Sequence, residues 1–473
     1  MRKIVIGLEV HCEARSLSKV FSTGKNEYSL EPNSNLSVVD LGFPGIMPVI
    51  NKEALRKALM MSLALNCEVP EKIIFDRKNY FYPDLPKGYQ ITQMHKPVGI
   101  NGYLMINVDG VDKRVDIHDI HLEEDTASLD HFGNYSLIDY NRSGIPLMEV
   151  VTEPTMNSVN EALGFLEALR KVFLYCEVSE ARSDKGQMRC DVNISLMEEN
   201  AKEFGTKVEI KNINSFNNVK LALEYEIKRQ TEILDNGGKI IQETRRFDVD
   251  SLTTISMRNK VEAVDYKYFI EPNIPAIKLD KAWIDEIKAS IPKLQFERVN
   301  IYMKEYGLSR YDANILVKEK ENALYFEKCL TYGINPKSVA NWINGVIMGH
   351  LNKYELGIRD IYVNEKMLVD LIKAVEDSTI SVKQGKEVLY KALTEELVPT
   401  EIIKQSNMRQ ITDDDELRTL VIEIINDNKP MVDKYKSGKN ILDFFVGQMM
   451  KKTKGQANPS KASQMFKEEL DKS

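Results

Sequence analysis

Residues 4–13, Ile-Val-Ile-Gly-Leu-Glu-Val-His-Cys-Glu, alternate so that Ile4, Ile6, Leu8 and Val10 share one face of a strand while Glu9, His11 and Glu13 share the other. A core strand that turns carboxylate, imidazole and carboxylate to its open face is equipped to hold a divalent cation or to move protons. Arg189, Asp191 and Asn193 repeat the arrangement opposite an apolar row, and Lys207, Glu209 and Lys211 do likewise opposite Thr206, Val208 and Ile210. Two further segments, His121-Leu122-Glu123-Glu124-Asp125 and Pro146-Leu147-Met148-Glu149, can deliver a carboxylate to the same place. Taken singly, each of these residues also fits an ordinary outward position on an antiparallel strand. Convergence of Glu9, Glu124, Glu149, Asp191 and Glu209 would bring about 4 kcal/mol of repulsion per pair at about 4 Å and an effective dielectric of about 20. Such a cluster requires cations or protons. Hard oxygen ligands with a single imidazole suit magnesium or manganese better than zinc.

The sequence holds no GxxxxGK[ST] loop and no GxGxxG, so a P-loop kinase is excluded and any phosphate must be held by metal and isolated basic groups. The run Phe75 to Gln90 is dense in cations, aromatics and prolines, and its Arg77, Lys78 and Lys87 are the candidate nucleotide contacts. Such a loop can support a ribose, a base or an RNA end by stacking plus charge. A rigid aromatic loop packed on the sheet is the alternative. His95, His118 and His131 lack metal-motif spacing and read as surface or packing residues.

Around these residues the pattern to about residue 294 mixes short alternating strands with a few helices. A helix starts at Ser158, where Ser-Val-Asn-Glu forms a capping box with Glu161, and a second runs from near Asn217 to Gly237-Gly238. From 295 the chain reads as almost wholly helical, with Trp342 and Ile343 in its core. The expected fold is α+β: a large, mostly antiparallel-sheet cradle domain over 1–294, an all-helical middle domain over 295–405 and a small helical tail over 406–473. The 473 residues carry a net charge of −7, yet 429–467 hold nine lysines against Asp433 and Asp443. Lys451, Lys452 and Lys454, beside Gly455, are placed to follow a phosphate backbone, with a solvated lysine face as the plain alternative. No stretch approaches the roughly 18 apolar residues of a membrane span, and Glu9 and His11 interrupt any leader-like run, so a cytoplasmic protein is expected. Five scattered cysteines form no CxxC pair, which indicates neither a disulfide framework nor a thiolate zinc site.

Gly7-Leu8-Glu9-Val10-His11, Glu31-Pro32-Asn33-Ser34-Asn35, the Asp76 to Gln90 run, His121 to Asp125, Arg189 to Asn193, Glu209 to Phe216, Gly447 to Lys451 and Lys454 to Pro459 together resemble the B subunits of the heterotrimeric tRNA-dependent amidotransferases, GatCAB. The resemblance covers essentially the whole chain. It implies a ligase that turns misacylated Glu-tRNA(Gln), and in many organisms Asp-tRNA(Asn), into the amide. ATP phosphorylates the side-chain carboxylate, and ammonia released from glutamine by an amidase A subunit displaces the phosphate. A small C subunit completes the heterotrimer, and the tail binds tRNA. Carried onto this sequence, His11, Glu124 and Glu149 are the expected Mg²⁺ ligands, and Glu9, Asp191 and Glu209 are further ligands or guides for ammonia and its proton. Strand face and charge place Arg189 and Lys211 toward the transferring phosphate.

Many members of that family carry two CxxC pairs near the segments occupied here by Phe21 to Gly24 and Val38 to Leu41; with no cysteine there, no structural zinc is expected. Lys185, Gln187 and Ile270 also depart from the family pattern. Two other classes stay open: a stand-alone Mg-dependent carboxylate kinase or ligase, which needs no basic tail, and a non-catalytic tRNA-binding scaffold, which is indifferent to His11 and Glu124.

Overall fold

The computed structural model describes residues 2–259, 265–405, 414–437, 441–453 and 456–472. The chain divides into two compact units, Met1–Phe296 and Glu297–Ser473. The first unit is an α+β fold with fourteen strands among its described residues. These are β1 (Arg2–Glu13), β2 (Lys72–Asn79), β3 (Tyr89–Lys96), β4 (Gly99–Val108), β5 (Val111–Glu124), β6 (Ser128–Phe132) and β7 (Tyr135–Asp139). They continue with β8 (Pro146–Thr152), β9 (Met188–Glu198), β10 (Val208–Ile213), β11 (Glu243–Asp248), β12 (Thr253–Asn259), β13 (Phe269–Ile270) and β14 (Ile277–Lys278). Eight form one sheet in the order β12-β11-β10-β9-β1-β8-β5-β4. Its neighbours are antiparallel except β10 and β11, which run parallel.

The alternation in β1 has the effect its sequence requires. Ile6, Leu8, Val10 and Cys12 are buried in one apolar core with Phe165, Leu169 and Phe173 of helix α2 (Val159–Tyr175) and Leu223 of helix α3 (Phe216–Asp235). Each such side chain contributes roughly 1.5–3 kcal/mol by leaving water. Helix α1 (Lys52–Ala64) covers the β4–β5 part of the same face. The other face keeps the polar row. The helices that fix this sheet begin where their caps dictate: Ser158 Oγ accepts from the Glu161 N–H and Ser215 Oγ from the Asn218 N–H. The expected capping box at Ser158 is only half formed. Glu161 accepts instead from the Asn157 N–H at 2.6 Å and pairs with Lys113 at 2.5 Å, tying the helix start to β5. α3 supplies the crossover between parallel β10 and β11 and gives way at Gly237, whose φ is +74°.

A smaller sheet sets β2 between β13 and β14 on one edge and β3 on the other. It is fastened to the end of β5: Gln93 accepts from the Leu122 N–H, and the Thr92 hydroxyl donates to Glu123 at 2.9 Å. The 75–90 run therefore starts on a strand beside the polar face of the main sheet and leaves it as a loop.

The second unit is helical among its described residues. It contains two separate apolar clusters, one drawn from Val299 to Ile402 and including Trp342 and Ile343, the other from Leu417 to Leu470. No helix among the described residues is long and apolar enough to cross a membrane.

Candidate metal and phosphoryl-transfer centre

Strand register, not proximity in sequence, assembles the polar face. On β1, Glu9 lies opposite Asp191 of β9, and His11 lies opposite both Arg189 of β9 and Glu149 of β8. Glu149 in turn faces His121 of β5. Glu209 of β10 lies opposite Asn193 of β9. Cross-strand partners point to the same side of a sheet, so five strands from distant parts of the chain set their polar residues side by side. Two acidic trios result. The ligand atoms of His11, Glu123 and Glu149 lie within 4.8 Å of one another, and so do those of Glu9, Asp191 and Glu209.

In the first trio Glu149 Oε2 is shared by His121 Nε2 at 2.8 Å and His11 Nε2 at 3.3 Å. His121 also meets Asp119 at 2.9 Å through Nδ1 and Glu123 at 3.6 Å through Nε2. Burial disfavours charge on both imidazoles, but the surrounding carboxylates, Glu149 foremost, together outweigh it, pushing His11 up to about 9 and His121 well above its ordinary value. Burial alone would raise the Glu149 carboxyl; the flanking histidines hold it well below the usual carboxylate range. Two imidazoles whose protonated forms are favoured by these carboxylates thus stand where a cation would sit. Lys78, on β2, loses by burial but is raised on balance by Glu123, Tyr268 and Glu149, and its Nζ lies 5.0 Å over the Tyr266 ring.

The second trio has a permanent cation. Lys211 Nζ bridges Asp191 at 2.8 Å and Glu209 at 3.1 Å. A β-bulge between Ile210 and Ile213, with Asn212 at φ +55°, turns the Asn212 N–H onto Asp191 Oδ1 at 2.8 Å. The Thr244 hydroxyl donates to Glu209 Oε2, and Asn193 Nδ2 donates to Glu9 Oε1, each at 2.8 Å. Glu9 joins the two trios. Burial, Glu149 and Asp191 raise its carboxyl, and the Asn193 bond offsets this only in part.

The expected residues meet incompletely. His11, Glu149, Glu9, Asp191 and Glu209 come together, but Glu123 stands beside His11 and Glu149 where Glu124 was expected. Adjacent residues on β5 point apart: Glu124 turns toward β3, where it accepts from the Ile91 N–H at 2.9 Å and pairs with Lys87 at 2.6 Å. Lys87 is therefore held by Glu124, and Arg77 faces away from the trio, paired with Glu271 and stacked on Tyr89 at 4.1 Å. Of the three candidate cations in the 75–90 run, Lys78 is the one set among the trio's carboxylates. Arg189 shares the His11 row, but its guanidinium donates to both oxygens of Asp125 at 3.0 Å. Beside that pair, burial and then Asp125 push the Glu13 carboxyl up to about 7. His121 was passed over by sequence reasoning; the alternation that paired Glu9 with His11 would also have paired His121 with Glu123.

In the tail, Lys451 is exposed, whereas Lys452 pairs with Glu423 of the helix Asp414–Asp427 at 2.5 Å. Lys461 pairs with Asp414 of the same helix. An acidic helix thus partly offsets the lysine-rich stretch. Lys454 and Gly455 lie outside the described residues.

The donor chemistry of the first trio, two carboxylates and one imidazole, fits a hard divalent ion such as Mg²⁺ or Mn²⁺. A family model described as the GatB/GatE catalytic domain matches residues 4–285, and one described as the GatB domain matches 324–470. The chain is 47% identical over 468 residues to the B subunit of the aspartyl/glutamyl-tRNA(Asn/Gln) amidotransferase of Persephonella marina, covering 98% of this chain and 99% of that one. It is 45% identical to the protein of the same name from Halalkalibacterium halodurans, covering 99% of each chain. By both measures the chain belongs to the family of aspartyl/glutamyl-tRNA(Asn/Gln) amidotransferase B subunits.

Proposed function

We propose that this chain is the activating and amidating subunit of a tRNA-dependent amidotransferase, a ligase that forms a carbon–nitrogen bond with glutamine as the amido donor. Its substrates are Glu-tRNA(Gln), Asp-tRNA(Asn) or both, and ATP. The observation that carries the reading is the His11, Glu123, Glu149 trio with Lys78 beside it. It is a metal-fitting anionic site with one phosphate-seeking cation, placed at the end of an aromatic, basic loop.

His11, Glu123 and Glu149 would hold Mg²⁺; Glu124, turned to the other side of β5, would not reach it. When bound, the ion neutralises phosphate charge and orients the phosphoryl group. Lys78 contributes a fixed positive charge against the γ-phosphate as an oxygen of the substrate carboxylate attacks phosphorus and ADP leaves. Ammonia then attacks the acyl carbon, the C–O bond to phosphate breaks, and the surplus ammonium proton must go to a base. Glu9 suits that role: its carboxyl is raised, and Asn193 occupies Oε1 while Oε2 is left to take the proton. Lys211 keeps Asp191 and Glu209 compensated, so the second trio forms a polar, charge-balanced wall beside Glu9. Arg189, tied to Asp125, fixes the end of the His11 row and reaches phosphate only by leaving that carboxylate.

Ammonia is supplied by a partner, because nothing in the sequence resembles a glutaminase: there is no paired serine with a lysine in a Gly/Ser-rich motif. The assembly is a heterotrimer with an amidase A subunit and a small C subunit, acting in the cytoplasm. Within the second unit we read the two apolar clusters as a helical domain over 295–405 and a tRNA-binding tail over 406–473. Lys451, Lys452 and Lys454 would contact the tRNA backbone.

The test is co-expression with candidate A and C subunits and measurement of ATP-dependent amidation of both misacylated tRNAs. Amidation of either, abolished by His11→Ala, is expected. ATP turnover on a free carboxylate with no dependence on tRNA would replace the reading with a stand-alone carboxylate kinase, and tRNA binding unaffected by loss of His11 with no turnover would replace it with a scaffold.

A further inference from the structure

We infer that the loop 80–88 is a stacking site for an adenine base, which holds the nucleoside end of a substrate while its reactive end reaches the acidic trio. The inference rests on the proposed function for the identity of the substrates, both of which end in adenosine: ATP, and the 3′ terminus of tRNA. It rests on this structure for the site.

A shallow concavity of about 390 Å³, largely open to solvent, lies in this loop, lined by Phe81, Tyr82, Pro83, Pro86, Lys87 and Gly88 among others. Such an open surface suits a base held from one side by stacking rather than an enclosed ligand. Its apolar residues are not there to fill a core. Phe81 is 92% exposed, and Tyr82 is about half exposed. One edge of the Phe81 ring borders Gly88, where a Cβ would come within 2.9 Å of Phe81 Cε1 and where φ is +75°, and the ring is otherwise open to solvent. An open aromatic face is what a flat base stacks on.

Lys87 lines the concavity and is held by Glu124, on the side of β5 turned away from the trio. The connection to the trio is a row of rings, with Tyr82 near-parallel to Tyr80 at 6.4 Å, Tyr80 edge-on to Tyr266 at 6.1 Å, and Tyr266 beside Tyr268 at 6.1 Å. Tyr266 carries Lys78 on its face, and Lys78 and Tyr268 both feel the Glu123 carboxylate. A base seated at Phe81 and Tyr82 thus belongs to the same continuous surface as the cation and carboxylates that face the reacting phosphate. Stacking is indifferent to base edges, so this site supplies affinity and orientation, not sequence reading.

Phe81→Ala, Tyr82→Ala and the ring-retaining Phe81→Trp decide the matter. Phe81 is exposed, so its variants should melt like the wild type. Binding of ATP and of the trinucleotide CCA to the full chain is measured by calorimetry, and KM for ATP and for misacylated tRNA is measured in the assembled complex. The alanine variants are expected to weaken one ligand roughly five- to 150-fold, the range of one lost base stack, with Phe81→Trp near wild type. Weakening of ATP alone assigns the site to the nucleotide, and weakening of CCA and tRNA alone assigns it to the tRNA terminus. Alanine variants that melt normally and bind both ligands as the wild type does would overturn the inference. Should the assembled complex amidate neither tRNA, the proposed function fails, while the two calorimetric arms still decide the base site.

Discussion

The two acidic trios lie side by side on one sheet face yet balance their charge differently. Asp191 and Glu209 share Lys211, a cation that stays charged throughout the working pH range and is joined by N–H and hydroxyl donors that satisfy the remaining oxygens. Glu149 and Glu123 are balanced by two imidazoles, whose charge is removable. A divalent ion entering the first trio would have to displace imidazole protons, from His11 and from His121 on the shared Glu149 oxygen; entering the second, it would have to displace an ammonium group covalently fixed to the wall. On the proposed reading this difference makes the first trio a ligand site and the second a lining. It also gives the first trio a pH signature, because metal binding there must release protons and tighten as pH rises toward the His11 value of about 9.

Glu149→Gln should have the largest effect. It removes the carboxylate common to both imidazoles, and amidation should fall by about 10³-fold, with Mn²⁺ binding lost by electron paramagnetic resonance. Breaking this buried pair should cost the metal-free chain about 3 kcal/mol. The His11 proton should also leave at lower pH. A raised folded-state value means the wild-type pair stabilises fully below about pH 6.5 and loses that contribution as pH rises through about 9, so the variant's stability should lack this alkaline decline. NMR titration of the ring protons checks both statements.

Lys211→Met tests the comparison from the other side. With its cation gone, the second trio should gain affinity for Mn²⁺, giving one more bound equivalent than the wild type, while amidation falls by roughly 10²-fold. An unchanged Mn²⁺ stoichiometry would show that charge balance is not what separates the trios. His121→Asn should act more mildly. It removes the bond that orients Glu149 without removing a ligand of the first trio, so Mn²⁺ affinity should drop about 10- to 100-fold with the melting temperature little changed.

Glu226→Gln should have the smallest effect on activity. Glu226, on α3, is a buried carboxylate in a third balanced cluster, bound by Arg229 of the same helix at 2.8 Å and Arg245 of β11 at 3.1 Å, where the helix packs on the β11–β12 end of the sheet. Burial raises its carboxyl, but Arg229, Thr254 and Gln230 outweigh that and lower it overall. Its stabilisation is therefore present above the unfolded carboxylate range and lost as pH falls through the folded value. The variant should show a flatter acid limb in urea denaturation and an unchanged kcat.

The polar row of β1, the carboxylates of β9 and β10 and the helix start at Ser158 were readable because each follows from local periodicity or capping, and the helix expected from near Asn217 begins one residue earlier, at Phe216. The same rule failed to separate Glu123 from Glu124, since consecutive carboxylates differ only in which side of β5 they occupy, and a line of text does not fix the phase of a strand. The cations were harder still. Arg77, Lys87, Arg189 and Lys452 all stand in runs that look like phosphate contacts, yet each is held by a carboxylate 29 or more positions away in the chain or on another helix.

By itself, then, the sequence determined which residues face together along any one strand, that hard-ion and phosphate chemistry was available, and which family the chain resembles. Only the tertiary structure decided which carboxylate meets which cation. Side-chain direction along a strand is a two-residue property carried by the backbone, whereas the partner across the sheet depends on strand order and register. Those are fixed by the packing of the opposite, apolar face onto its helices.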